Sequence, residues 1–252
     1  MGAAAVFVVV RGRRHPGFPV GRWGMAVYDP FAEAFDLHAS TSAYNAHYDR
    51  PAVLGMLGDV FGLSVLDAGC GSGLYAEELV TRGAEVTGVD ASPEMIRLAA
   101  DRIGDHCTFR VHDLEAPLTW ADDASFDAVV MALVLHHLRN PRQVLREFRR
   151  VLREQGRLVL STVHPVADWR RLGGSYFTDE RITETWNDGW EVEFRRAPLT
   201  ELMADFAAAG FAIESLVEMR PADTMAVEYP EVHEKLSTEP GFMAFTLVKH
   251  PG

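Results

Sequence analysis

Asp67, Gly69, Gly71, Gly73 and Asp90 are the residues whose types and spacing can do chemistry. The stretch VLDAGCGSGLYAEEL, residues 65–79, runs from an apolar segment through an acid and three alternate glycines into helix formers. A strand, a glycine-rich turn and a helix N-terminus place backbone N–H groups and the positive end of a helix dipole at one spot. Ligands that use this geometry differ in what else they require. A nucleoside-triphosphate loop requires Gly-Lys-Ser/Thr, and no lysine stands here. The dinucleotide pattern G-x-G-x-x-G requires glycine at 74, where the chain has Leu74. An acid directly before the loop repels pyrophosphate and favours an ammonium or sulfonium group. Asp90 follows 23 residues later, near the ~20-residue spacing at which an acid meets ribose hydroxyls. Asp113, past the next apolar run, offers an acceptor for the amino group of adenine. A cationic amino-acid head, a ribose and an adenine occur together in S-adenosylmethionine.

The elements that must hold these residues are legible in the pattern. Short β-rich runs alternate with helical segments from 64 to 163, which reads as parallel βαβ units. Strands are expected at 64–67, 86–90, 108–112, 126–131 and 157–163, with two more at 211–219 and 242–249. Ser92 with Pro93, and Asn140 with Pro141, signal helix starts. Val144, Leu145, Phe148, Val151 and Leu152 fall on one face of the second of these helices, which Gly156 is expected to close. Another helix is expected from Thr200 to Gly210. Two segments break the alternation. Residues 25–62 read as a helical N-terminal arm with Tyr28, Tyr44 and Tyr48. Residues 164–198 read as an aromatic insert, with the RITETW and WEVEFRR stretches joined by an Asn187-Asp188-Gly189 turn.

Bulk properties narrow the function classes. The chain has 252 residues, 48% of them hydrophobic, and a formal charge of −12. This suits a soluble α/β protein in the cytoplasm and disfavours a nucleic-acid partner, which needs a basic face. Only Lys235 and Lys249 are lysines, and the arginine excess reads as nucleotide-composition bias. Two cysteines, Cys70 and Cys107, point to a reducing compartment without disulfides. Residues 1–24 carry an apolar run too short for a membrane span, followed by arginines. They read as a disordered tail or an extension ahead of Met25.

The motifs together resemble the class I S-adenosylmethionine-dependent methyltransferases, in particular the small-molecule group. VLDAGCGSG (65–73), VTGVDASPEMI (86–96), VHDLEAPL (111–118), SFDAVVMALVLHHL (125–138) and VLREQGRLVLS (151–161) carry the resemblance. It implies a doubly wound, Rossmann-like α/β sheet of seven strands, mostly parallel with the last antiparallel, and helices on both faces. On that organisation 25–62 caps the site, 63–163 is the cofactor-binding core, 164–198 is a substrate lid and 199–252 completes the sheet. The resemblance further implies that Asp67 and the glycines hold the methionine end of the cofactor. Asp90, with Ala91 and Met95 behind it, would serve the ribose side, and Asp113 with Leu114 the adenine. Met131 and Ala132 would line the cofactor from the fourth strand.

The acceptor side is less sharply marked. His136, His137 and His164 are candidates for a general base, since histidine suits proton removal near neutrality. The Leu-His-His-Leu stretch recurs in the resembled family whatever the substrate, so a structural or cofactor-side role leads. His38 and His47 in the arm are further candidates. Tyr44 can close over a sulfonium by cation–π contact. Tyr28, Tyr48, Trp169, Tyr176, Trp186 and Trp190, with Phe177 and Phe194, would line a substrate pocket or pack as an apolar face. No pair has metal-ligand spacing, so no metal is expected. The expected activity is methyl transfer to a small molecule, with no nucleic-acid or membrane partner and with a homodimer as one assembly. The rivals are a protein or nucleic-acid methyltransferase, an oxidoreductase, and a non-methylating binder of the same cofactor. Base-amino enzymes carry an Asn/Asp-Pro-Pro-aromatic motif after the fourth strand, where this chain reads MALV.

Overall fold

Alternation along each strand divides its side chains between two cores, and this division sets the architecture. The computed structural model of the chain describes Asp29, residues 32–186 and residues 190–250. The expected tail 1–24, Tyr28 and the 187–189 turn lie outside the described residues, as do the side chains of Trp186 and Trp190. The main sheet contains β1 (Ser64–Ala68), β2 (Glu85–Asp90), β3 (Cys107–Val111), β4 (Phe126–Ala132) and β5 (Leu152–Val163). A separate hairpin is formed by β6 (Glu180–Trp186) and β7 (Trp190–Arg196). Two later strands, β8 (Phe211–Glu218) and β9 (Phe242–Lys249), complete the sheet in the order β3-β2-β1-β4-β5-β9-β8. The first five pair in parallel, and β9 runs antiparallel to both of its neighbours. The last strand is thus antiparallel, as expected, and lies inside the sheet.

Val65, Ala128, Val130, Val159 and Ala244 point to one face, under α2 (Arg50–Leu57) and α3 (Leu74–Thr81). Leu66, Val129, Met131, Leu158, Leu160 and Phe245 point to the other, under α5 (Pro141–Val151) and α7 (Leu199–Ala208). Burial on both sides explains why these strands read as continuous apolar runs. Strand order reverses between the parallel neighbours β1 and β4, and α/β folds bind ligands at the carboxyl ends of strands at such a point.

Helix punctuation is met in part. Ser92 caps α4 (Pro93–Ile103), its Oγ accepting the Met95 N–H at 3.0 Å. Asn140 precedes α5 without capping it; its amide donates to Gln143 at 3.2 Å instead. That helix ends at Val151 and not near Gly156, because Leu152 already has extended geometry and pairs with Phe126. Residues 153–156 then form the irregularity that shifts the β4–β5 register. The helix expected at Thr200 begins one residue earlier, after Pro198.

Two appendages pack against the sheet's connections. In the arm, α1 (Ala32–Thr41) is tied to α4 by Asp36 and Arg102 at 2.6 Å. A π-helical turn, Asn45–Asp49, leads into α2. In the insert, α6 (Pro165–Leu172) precedes the hairpin, which is fastened to the turn after β4 by Arg181 donating to the carbonyls of His137 and Leu138. Among the described residues, no helix is long and apolar enough to cross a membrane.

Candidate active site

The glycine loop is held open by the strand beside it. The N–H groups of Gly69 and Cys70 both donate to the Val89 carbonyl, at 2.8 and 2.9 Å. Gly69 has φ +77, and a Cβ there would lie 2.5 Å from Val134 Cγ2. Gly73 opens α3 at φ +84, with Ala99 3.0 Å from where its Cβ would be. Gly71 differs: its φ is +53, yet no protein atom lies within 4 Å of its Cβ position. Sterics inside the protein therefore require glycine at 69 and 73, while 71 faces open space that a ligand backbone can enter.

Asp90 braces this loop. One carboxylate oxygen accepts the Gly71 N–H and the other the Ser92 N–H, each at 2.9 Å. Burial pushes its pKa up, against the pull of these bonds. Ala91 is half-buried beside it and Met95 is fully buried behind it. Asp67, on β1, is 2% exposed, and its Oδ2 has no hydrogen-bond partner. Burial first, and then the Asp90 charge, raise its pKa to about 7. A buried acid beside a second acid is stabilised by a cation. Asp113 accepts the Glu115 N–H at 2.9 Å in a turn, and Leu114 is buried next to it. Met131 and Ala132 extend β4 past the point where Val130 pairs with Asp67. Met131 is buried in the core and Ala132 is half-exposed at the strand end.

The arm brings groups to this loop that the pattern did not single out. Asp49 is 1% exposed and accepts the Tyr75 hydroxyl at 2.5 Å. Burial raises its pKa to about 6, opposed by hydrogen bonds from Ser161 and Tyr75 and by Arg50. The Arg50 guanidinium sits 5.9 Å from the Tyr75 ring centre. Ser72, in the loop itself, donates to Asp36 at 2.5 Å. Ser92 donates to Asp29. The arm thus touches the loop and the Asp90 corner together. Tyr48 is buried, its hydroxyl donating to the Met219 carbonyl and accepting from the Gly241 N–H, each at 3.1 Å. That engagement makes it a packing anchor for the arm. Tyr44 packs 5.8 Å from Phe242. His47 joins the arm to α8 (Asp223–Glu228) through Thr224.

The three histidine candidates separate by their partners. His164 is buried; Nδ1 accepts the Val166 N–H, capping α6, and Nε2 faces Glu218 at 3.2 Å. Both of its ring nitrogens are thus engaged within the protein. His137 lies 3.3 Å from the Glu193 carbonyl, and burial lowers its pKa to about 4. His136 has Nδ1 3.3 Å from Thr162 Oγ1 and is held neutral by burial and by His137. It lines a small cavity with Leu135, Thr162, Val163, Asp168 and Arg195. The insert aromatics divide. Phe194 is buried 6.5 Å from the His136 ring. Trp169 and Tyr176 pack on each other, the Trp169 N–H donating to the Gly174 carbonyl and the Tyr176 hydroxyl accepting the Leu199 N–H, while Phe177 is 80% exposed. Among the described residues, no group of histidine, cysteine or acidic side chains is placed to hold a metal.

A seven-stranded sheet with this strand order, a glycine loop at its reversal point and paired acids define a nucleoside-binding enzyme of the methyltransferase type. Comparison with known proteins agrees. Residues 66–160 match the family described as a methyltransferase domain. A demethylmenaquinone methyltransferase of Tropheryma whipplei is 32% identical over 188 residues, 66% of this chain and 77% of that protein. A ubiquinone biosynthesis O-methyltransferase of Xanthomonas oryzae is 37% identical over 42% of this chain and 45% of its own length. An S-adenosylmethionine-dependent methyltransferase of Mesorhizobium loti superposes with a TM-score of 0.66 at 25% identity, covering 83% of this chain and 99% of that one. The chain belongs to the class I S-adenosylmethionine-dependent methyltransferases and is an enzyme of the small-molecule group. The unpartnered Asp67 oxygen and the open face of Gly71 fit that cofactor.

Proposed function

We propose that the acceptor is a small ring compound bearing an acidic hydroxyl, and that His136 takes the proton from it. When bound, S-adenosylmethionine supplies a methyl group made electrophilic by its sulfonium. The chain's own work is to hold the acceptor in line, exclude water and receive a proton. The placement of His136 carries the reading. It follows the end of β4, stays neutral through burial, and borders a cavity of about 10 Å³, room for one water, walled by Leu135, Thr162, Val163, Asp168 and Arg195. A neutral imidazole accepts a proton, and one of lowered basicity suits a phenolic or enolic hydroxyl better than an alkyl alcohol. Of the two relatives, the ubiquinone biosynthesis O-methyltransferase is named for transfer to oxygen, which supports a hydroxyl acceptor. In this proposal Asp67 and the glycines hold the methionine end of the cofactor, Asp90 the ribose, and Asp113 and Leu114 the adenine. Residues 25–62 and 164–198 close the site as cap and lid. The acidic overall charge supports a small-molecule partner over a nucleic acid.

A panel of phenols, hydroquinones, amines and alkyl alcohols, assayed for S-adenosylhomocysteine release, tests this reading. Turnover of the ring hydroxyls is expected. His136→Gln should lower kcat by about 10²–10⁴-fold while leaving S-adenosylhomocysteine affinity unchanged. Methylation of amines alone, or an unimpaired His136→Gln enzyme, would overturn it.

A further inference from the structure

The hairpin grips the turn that carries the two histidines through a closed ring of contacts. Arg181, on β6, lays its guanidinium fork across two consecutive carbonyls, Nη1 donating to Leu138 at 3.0 Å and Nη2 to His137 at 3.2 Å. These carbonyls lie at the end of the 3₁₀ turn Leu135–His137, where backbone acceptors have no partner within the turn. Arg181 Nε lies 3.0 Å from Glu193 Oε1, on β7. The Glu193 carbonyl in turn stands 3.3 Å from His137 Nδ1. A carbonyl only accepts, so that nitrogen carries a proton. The ring runs from Arg181 through His137 and Glu193 back to Arg181. The register of the hairpin explains the Glu193 contact. Arg181 stands directly opposite Arg195, a like charge, and Glu193 is the diagonal neighbour that offsets it. Arg195 is held separately by Asp179 and Asp205, at 2.7 and 2.5 Å.

We propose that Arg181 is a positioning residue for the proton transfer: with Glu193 it fixes the His137 ring with its proton on Nδ1, and so leaves His136 as the ring that takes the acceptor's proton. This rests on the reading of His136 as the base. The two rings are 4.2 Å apart, so a charge on one opposes a charge on the other. Burial first, and the Arg181 charge as a smaller cause, lower the His137 pKa to about 4, against the pull of the Glu193 carbonyl. His136 is placed from the other side, its Nδ1 3.3 Å from Thr162 Oγ1 and its ring edge-on to Phe194 of the hairpin. The charged groups facing the pair are Arg181 and Glu193 from the hairpin, Arg139 through Glu193, and Asp168 and Arg195 across the cavity. Arginine suits the role because its fork is planar and always charged, whereas a lysine is a single point charge. It follows that the insert acts on the proton transfer through the turn after β4, and not only as a lid.

Nitrogen NMR of the histidine rings in the full chain, with His136→Gln and His137→Gln used to assign them, reads the proton position directly. His137 should carry its proton on Nδ1 near neutral pH; a proton on Nε2 alone would overturn the proposal. Methyl transfer to a hydroquinone, followed across pH, reads the consequence. Arg181→Met should lower kcat about 10–100-fold, as for a misplaced catalytic group, with KM little changed. It should also move the acid limb of the kcat profile to higher pH, because a cation beside the pair is gone. Arg181→Lys should recover part of kcat and return the limb toward its original pH. Unchanged kcat and pH profile in a folded Arg181→Met enzyme, beside an impaired His136→Gln enzyme, would overturn the proposal alone. An unimpaired His136→Gln enzyme would overturn the base assignment and the proposal with it. Should Arg181→Met not fold, Arg181→Gln, which still donates to one carbonyl, replaces it with the same expected shift of the limb.

Discussion

The Asp90 carboxylate accepts the Gly71 N–H at 2.9 Å, so the acid at the end of β2 and the middle glycine of the loop are one unit. The same carboxylate starts α4 through the Ser92 N–H. Asp90→Asn places an amide that must turn its oxygen to one N–H and its donor toward the other. The variant should lose about 1–3 kcal/mol of stability, as for an unsatisfied buried donor, and bind S-adenosylhomocysteine more weakly. Denaturant unfolding and calorimetry together check this. A variant of unchanged stability would show that Asp90 does not brace the loop.

The loop glycines should fail in different ways. Gly69→Ala puts a methyl 2.5 Å from Val134 Cγ2 at φ +77, so it should lower Tm strongly. Gly71→Ala meets nothing in the protein and has only its φ of +53 to overcome, a penalty of roughly 1–2 kcal/mol. Its fold should survive while cofactor affinity collapses, because the methyl occupies the ligand's space. Comparison of Tm with binding affinity for the two variants separates the effects. Identical behaviour would contradict the division of roles.

Acid pH should stabilise the free chain and weaken its ligand. Asp49 and Asp67 titrate at about 6 and about 7, above the ordinary 3.8 of an aspartate. Asp67 is faced by Asp90 and the Ala76 N–H, and Asp49 by Tyr75, Ser161 and Arg50. Between pH 4 and 7 the folded chain keeps protons that the unfolded chain has released. The contribution is therefore favourable at low pH and is lost as pH rises through about 6 and about 7. A cationic ligand end prefers the ionised acids, so S-adenosylhomocysteine affinity should rise from pH 6 to 8 and then level. Its Tm shift should be larger at pH 8 than at pH 6, and Asp67→Asn should flatten most of the slope. Affinity independent of pH in the unaltered chain would contradict the shifted acids.

His164 should prove structural. Its Nδ1 caps α6 at 3.1 Å, so His164→Ala should remove about 1 kcal/mol of stability, while His164→Asn, able to cap, recovers most of it. Once folded, both variants should keep kcat. A folded His164→Asn enzyme without activity would place His164 in the chemistry.

The sheet was legible because strands buried on both faces leave apolar runs, and because Ser92-Pro93 and the alternate glycines have one backbone meaning each. The end of α5 was not, since Leu152 suits a helix face as well as the first residue of β5, and only pairing with Phe126 decides. Among the site groups, Asp67, Gly71 and Asp90 announce themselves by spacing. The bond from Tyr75 to Asp49 does not: Asp49 sits in an arm with no fixed spacing to the loop, at the end of a π-helical turn. Tyr48 looks like a ligand aromatic in the chain but anchors the backbone at Met219 and Gly241, partners more than 170 residues away. Likewise, nothing local tells His164, a cap, from His136, which faces a cavity.

The most direct test of the central account is thermal unfolding of the full chain with S-adenosylhomocysteine or NAD in separate samples. At about 100 times its dissociation constant a ligand adds about 2.7 kcal/mol. For a chain of this size that is a rise in Tm of roughly 5–10 °C. The account predicts this rise with S-adenosylhomocysteine and none with NAD. A shift with NAD alone would show that the loop formed by Gly69, Gly71 and Gly73 serves a dinucleotide, and would contradict the site described.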